Sequence, residues 1–190
     1  VTALPDGRML VVSGNTTCRT CWADRPEIYD PIANTWTTLT GAQRVVPFYP
    51  HTFVLPSGKL LVTGSQLQPV ETLLLDVAAQ SWTVLDPLPR DGGTSVMYQL
   101  GKVLKSGMAY NPDDPPVEAS STAWVIDTNV ASPQWRAVAP MRFPRTQHTL
   151  LNLPDGTILS SGGGRNTDVF DEDNAVLQPE LWSPQTEQWS

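Results

Sequence analysis

Helical periodicity is what this sequence most lacks: nowhere in its 190 residues does an apolar i, i+3, i+4, i+7 stripe run for any length. Charge is also scarce. Charged side chains make up 16% of the chain, 12 basic against 19 acidic, for a net charge of −7. Neutralising nucleic-acid phosphates needs clustered Lys and Arg, so a nucleic-acid surface is excluded. No apolar run is long enough to cross a membrane as a helix, and membrane insertion is not expected. No leader-peptide pattern is read in these residues, and a chain that begins at Val1 is expected to be a processed or excised piece. Histidine occurs only at His51 and His148, and cysteine only at Cys18 and Cys21. With no second cysteine pair, a structural zinc lacks its four ligands. A thioredoxin-like role would need a βαβ setting, which is absent.

What is present is repetition. Leu4-Pro5-Asp6-Gly7 precedes the apolar run Met9 to Val12, and Leu55-Pro56-Ser57-Gly58 precedes Leu60 to Thr63. Leu153-Pro154-Asp155-Gly156 precedes Thr157 to Ser160, and a degenerate copy runs through Leu100-Gly101-Lys102. The turn glycines Gly7, Gly58, Gly101 and Gly156 are spaced 51, 43 and 55 residues apart. Trp36, Trp82, Trp135 and Trp189 keep a similar beat, at 46, 53 and 54. Pro-Asp-Gly between apolar segments is a tight turn, because Pro presets φ and Gly accepts a positive φ. Each unit then carries a second hairpin: Glu27 to Asp30 with Thr35 to Leu39, Leu73 to Asp76 with Trp82 to Leu85, Trp124 to Asp127 with Trp135, and Glu180 to Ser183 with Trp189. The chain is therefore all-β, with four strands per unit.

Periods near 40 to 50 residues with several strands per unit indicate propeller blades. The Gly ending the second strand and the pairs Tyr29/Trp36, Leu75/Trp82, Ile126/Trp135 and Trp182/Trp189 resemble the kelch repeat. The expected fold is a kelch-type β-propeller segment with blades at about 1–40, 41–88, 89–140 and 141–190, part of a seven-bladed ring. Packing between blades accounts for the recurrent tryptophans.

Arg145-Thr146-Gln147-His148-Thr149, Gly162-Gly163-Gly164 and Pro179-Glu180-Leu181-Trp182 resemble the propeller of galactose oxidase and glyoxal oxidase, the copper-radical oxidases. Pro26-Glu27-Ile28-Tyr29-Asp30-Pro31 and Gly101-Lys102-Val103-Leu104 carry the same likeness. The resemblance implies copper held by two Tyr and two His, one Tyr entering a blade nine residues before its turn Gly. Counting back nine from Gly7 falls outside the chain; the same slot holds Tyr49, Gly92 and Gln147 in the other three units. Tyr49-Pro50-His51 has its His one position late, and Gln147-His148 has no Tyr. On this reading no copper ligand carries over. The segment itself is expected to hold no cofactor, and copper belongs to the parent.

Tyr49, His51, Gln147, His148 and Trp22 are the candidates for the substrate face. For each His, a hydrogen-bonded structural role is the expected reading and a role at the substrate face the alternative. Trp22 lies on the loop where the family places an aromatic that shields its radical. Cys18 and Cys21 are expected to form a local loop disulfide in an oxidising compartment, with free thiols or outside partners as alternatives. Asn15-Thr16-Thr17 is an N-glycosylation sequon on the same loop. The acidic clusters Asp113-Asp114 and Asp168, Asp171, Glu172, Asp173 lack calcium-loop spacing and read as solvated.

Two functions follow. One is a scaffold segment of a secreted oxidase that converts an alcohol or aldehyde with O2 and yields H2O2. The other is a non-catalytic extracellular propeller binding glycan or protein. The expected partners are the remaining blades of the same polypeptide.

Overall fold

The computed structural model describes residues 1–18, 21–65, 68–90, 93–108, 116–168 and 171–190. Gly92, Asp113 and Asp114 of the sequence argument lie outside them.

Sixteen strands form four antiparallel four-stranded sheets. The first contains β1 (Thr2–Ala3), β2 (Met9–Val11), β3 (Glu27–Asp30) and β4 (Thr35–Thr38). The second contains β5 (Pro50–Val54), β6 (Leu60–Ser65), β7 (Val70–Asp76) and β8 (Ser81–Arg90). The third contains β9 (Thr94–Gln99), β10 (Lys102–Met108), β11 (Ser120–Asp127) and β12 (Arg136–Val138). The fourth contains β13 (Thr149–Asn152), β14 (Ile158–Ser161), β15 (Glu180–Ser183) and β16 (Gln188–Trp189). Each is a meander in chain order, the arrangement of a propeller blade.

Turn chemistry sets these meanders locally. At Gly7, Gly58 and Gly156 φ is +87°, +77° and +84°, and each N–H donates to the carbonyl of the Leu three residues earlier. In the first three sheets the hairpin between the third and fourth strands is closed by an acidic side chain, and in the fourth by Ser183, whose Oγ accepts from the Thr186 N–H. Asp30 Oδ1 accepts from the N–H groups of Ile32 and Ala33, and Asp76 Oδ1 accepts from that of Ala79. Asn34, Gln80 and Glu187 then take left-handed conformations, which let the chain reverse.

Both faces of a central strand are apolar, so consecutive sheets stack face to face. Leu10 and Ile28 of the first sheet meet Leu60, Leu75 and Trp82 of the second. Phe53, Leu61 and Leu74 meet Val103, Ile126 and Trp135. Val96, Leu104 and Val125 meet Ile158, Trp182 and Trp189. Indole N–H groups cross each seam: Trp82 donates to the Ala42 carbonyl at 2.8 Å, Trp135 to Thr72 Oγ1 at 2.7 Å, and Trp189 to the Ala139 carbonyl at 2.9 Å.

Trp36 has no second sheet against it among the described residues. It sits on the outward face of the first sheet, 59% exposed, and stacks only on Tyr29 with centroids 5.0 Å apart. On the opposite outward face, Leu151 and Leu181 are exposed in the fourth sheet. The two end sheets therefore do not seal against each other.

First strands neighbour one another, β1 on β5, β5 on β9 and β9 on β13, which puts them innermost and the fourth strands at the rim. A hydroxyl pair, Thr2 to Thr52 at 2.5 Å, joins β1 to β5, and Asn152 Nδ2 donates to the Met97 carbonyl to join β13 to β9.

Seam position decides what each tryptophan contributes to stability. Trp182→Ala is expected to lower the unfolding free energy by about 3–5 kcal/mol, whereas Trp36→Ala changes it by about 0.5 kcal/mol. Urea denaturation of the two variants measures both, and equal losses would refute the seam assignment.

Candidate functional site

Two cavities open at the inner ends of the sheets. The larger, about 600 Å3, is walled by residues 1–2, 11–15 and 48–52. Its described lining carries Thr2, Ser13, Asn15, Tyr49, His51 and Thr52 as polar side chains, with no Asp, Glu, Lys or Arg among them. Tyr49 is 65% exposed and holds a φ of +53°. Ser13 has a φ of +67°, and its Oγ is buried without a hydrogen-bond partner. Left-handed non-glycine residues are strained and cluster where surrounding structure overrides the cost.

Trp22 does not line this cavity but braces it. Its ring meets Phe48 edge-on at 5.6 Å, and Phe48 lies 6.2 Å from Tyr49. The Ser65 hydroxyl donates to the Phe48 carbonyl. Trp22 is carried on a hairpin that Cys18 and Cys21 close as a disulfide. Asn15 stands exposed at the foot of that hairpin, bridged to Trp22.

The second cavity, about 410 Å3, is lined by Gln147, Asn166, Asp168, Asp171 and Glu172 with Thr146, Gly163, Gly164 and Ala175. Gln147 mirrors Tyr49, exposed and at a φ of +54°. Asp171 is engaged locally, accepting from the Asp173 N–H and from Asn174 Nδ2.

The two histidines approach the third sheet from opposite sides. A register shift in β5 between Pro50 and Thr52 accommodates the extra residue before His51. His51 Nδ1 lies 3.4 Å from Ser95 Oγ. His148, 5% exposed, places Nε2 2.9 Å from Ser106 Oγ, while its Nδ1 is buried without a partner. It lines neither cavity. Burial drives the pKa of each imidazole from 6.5 down to about 3. The charge of Lys105 adds to the effect at His51, and those of Arg145 and Lys105 at His148.

Arg145 is fully buried and holds the entry to β13. Its Nη2 donates to Glu180 Oε2 at 2.7 Å and to the Gln178 carbonyl at 2.8 Å, and its Nη1 to the Gly162 carbonyl. Glu180 also accepts from the Arg142 N–H at 2.6 Å. Sequence reasoning passed over Ser13, Phe48, Lys105 and the Arg145–Glu180 pair. A signal existed for Lys105: the matching positions in the other repeats hold Val11, Val62 and Ser160.

Set beside known proteins, the chain is 32% identical to galactose oxidase of Gibberella zeae over 98 residues, in two sequences from that fungus, one of them from strain PH-1. The match takes in 49% of this chain and 14% of either relative. A fungal alcohol oxidase of the AA5 family, solved in complex with copper, superposes with a TM-score of 0.76 at 22% identity, over 99% of this chain and 41% of that one. The structure of YjhT superposes with a TM-score of 0.70 at 15% identity, over 99% of this chain and 68% of that one. The chain is a kelch-like β-propeller segment. No family model matches it.

A copper site needs several converging donors. Among the described residues no group of three or more His, Cys, Asp or Glu side chains converges in that way. Tyr49 and His51 share a cavity, but His51 is turned toward Ser95 and His148 is buried against Ser106. Among the described residues these donors do not converge on one point as a copper site requires.

The histidines give a pH test. Unfolded imidazoles take up protons below about 6.5, and the folded ones do so only near 3. The unfolded state therefore binds more protons between those values, and stability falls as pH drops through that window. Thermal melts from pH 7 to pH 5 should show this decline, and His148→Asn should reduce it by about half, the share of His51 remaining. A profile unchanged by the substitution would refute the neutral buried imidazole.

Proposed function

We propose that the chain is the scaffold part of a secreted galactose oxidase-like or glyoxal oxidase-like protein, whose complete form oxidises an alcohol or aldehyde with O2 and releases H2O2. The 98-residue similarity to galactose oxidase, lying within a propeller that superposes on a copper-bound alcohol oxidase, carries this reading. The 190 residues supply four blades and the cavity at Tyr49. Copper, with the donors missing here, belongs to the complete protein, and further blades of the same polypeptide cover the exposed rows at Trp36 and Leu181. Secretion is supported by the Cys18–Cys21 disulfide and the exposed sequon at Asn15.

A second reading is a non-catalytic extracellular propeller that binds glycan. The uncharged, aromatic-walled lining of the larger cavity favours it, since sugar rings stack on aromatic faces and bond to amide and hydroxyl groups.

The deciding experiment starts from the source polypeptide, with mass-spectrometric peptides overlapping Val1 and Ser190. The oxidase reading expects a Tyr upstream and a Tyr-His pair downstream, and H2O2 from the copper-loaded parent with a primary alcohol. The isolated 190 residues should produce none. Flanks without those residues, together with a parent inactive after copper loading, would leave the glycan reading. Turnover by the isolated chain would refute the scaffold role.

A further inference from the structure

The described residues 14–18 and 21–23 pair as the two arms of a small hairpin standing on the larger cavity. Ala23 N–H donates to the Gly14 carbonyl at 2.8 Å, Asn15 and Trp22 form an antiparallel bridge, and Thr16 N–H donates to the Cys21 carbonyl at 2.9 Å. Beyond the hairpin the chain is anchored again: the Asp24 carbonyl accepts from the Arg44 N–H, and its carboxylate from Gln43 Nε2 at 2.6 Å. One foot of the hairpin, at Ser13, Gly14 and Asn15, forms one wall of the cavity, and Trp22 on the other foot braces Phe48, which forms the facing wall with Tyr49.

Trp22 Nε1 is buried without a hydrogen-bond partner, so the indole is placed by packing and by the hairpin that carries it. The covalent closure of that hairpin is the Cys18–Cys21 disulfide, and Cys18 is exposed. The bond spans a sequence separation of 3. So short a loop removes little entropy from the unfolded chain, and its constraint is local.

We propose that Cys18–Cys21 is a site of thiol–disulfide exchange that sets the aromatic wall of the cavity. A dithiol reductant attacks one sulfur of the bond and forms a mixed disulfide, then closes its own disulfide. Two electrons and two protons pass to the protein, leaving thiols on Cys18 and Cys21. The hairpin then loosens, Trp22 withdraws from Phe48, and the wall at Phe48 and Tyr49 relaxes. The proposal holds whether or not the complete protein is an oxidase, and its test does not read turnover.

The test is hydrogen exchange, read by mass spectrometry, on the oxidised chain, the dithiothreitol-reduced chain and the Cys18→Ser/Cys21→Ser chain. Breaking the bond should speed exchange about tenfold in residues 14–18, 21–23 and 48–52, while β9 to β16 stay unchanged. Tryptophan emission should shift to the red on reduction, and Trp22→Phe should abolish the shift. Should the double variant fail to fold, the reduced wild-type chain carries the test. Unchanged exchange in residues 48–52, or equal acceleration in all four sheets, would overturn the proposal.

Discussion

A sheet that is apolar on both faces cannot stand alone in water, and the rest of this structure follows from that constraint. Leu60 and Leu61 are adjacent in β6 and point to opposite faces, yet their exposures are 1% and 0%. Val103 and Leu104 repeat the pattern in β10, both at 0%. Strands buried on both faces need a sheet on each side. Meander connections place the next sheet there without crossing the chain, and the indole N–H bonds fix how far each sheet slides over its neighbour. The convergence of the first strands is a by-product of that stacking, and the cavities form where they converge.

The polar interior at that convergence is organised by cations. Arg145 and Lys105 are both 0% exposed; burial is the main force holding the nearby imidazoles neutral, with Lys105 adding to it at both and Arg145 at His148. Arg145 meets the cost of its burial with Glu180 and three carbonyl acceptors, the condition under which a buried charge is tolerated. In return it fixes residues 143–146 and so aims Gln147 and His148. A neutral His148 beside Ser106 is then a packing and hydrogen-bonding element, with protonation strongly disfavoured.

Much of this was legible because turn chemistry is local. Pro-Asp-Gly and the closing Asp residues each act within four residues, so the hairpins could be read from short words. The Tyr29/Trp36, Leu75/Trp82 and Trp182/Trp189 pairs, each seven residues apart, face one another directly across their ladders. Ile126 and Trp135 are two residues further apart, and Trp135 falls just before β12. It leaves the ladder and bonds instead to Thr72 in the preceding sheet. Trp36 is exposed here because its burial depends on what covers the first sheet, which no residue in its own repeat encodes. Lys105 was missed because a charge in an apolar strand announces a buried cation without naming its surroundings.

The histidine offset shows how a sequence mismatch can vanish in three dimensions. Tyr49 and Gln147 occupy the same slot with nearly the same backbone, φ +53° and +54°, yet His51 follows two residues after Tyr49 and His148 one after Gln147. By linear alignment the two histidines are out of step. The register shift in β5 absorbs the extra residue, as β-bulges do where a strand must re-aim a side chain. Both imidazoles then reach serines of the third sheet, one from each neighbouring sheet. What the fold preserves at each entry is the strained residue and the imidazole beside it, and the spacing between them is free to vary because a bulge can take up the difference.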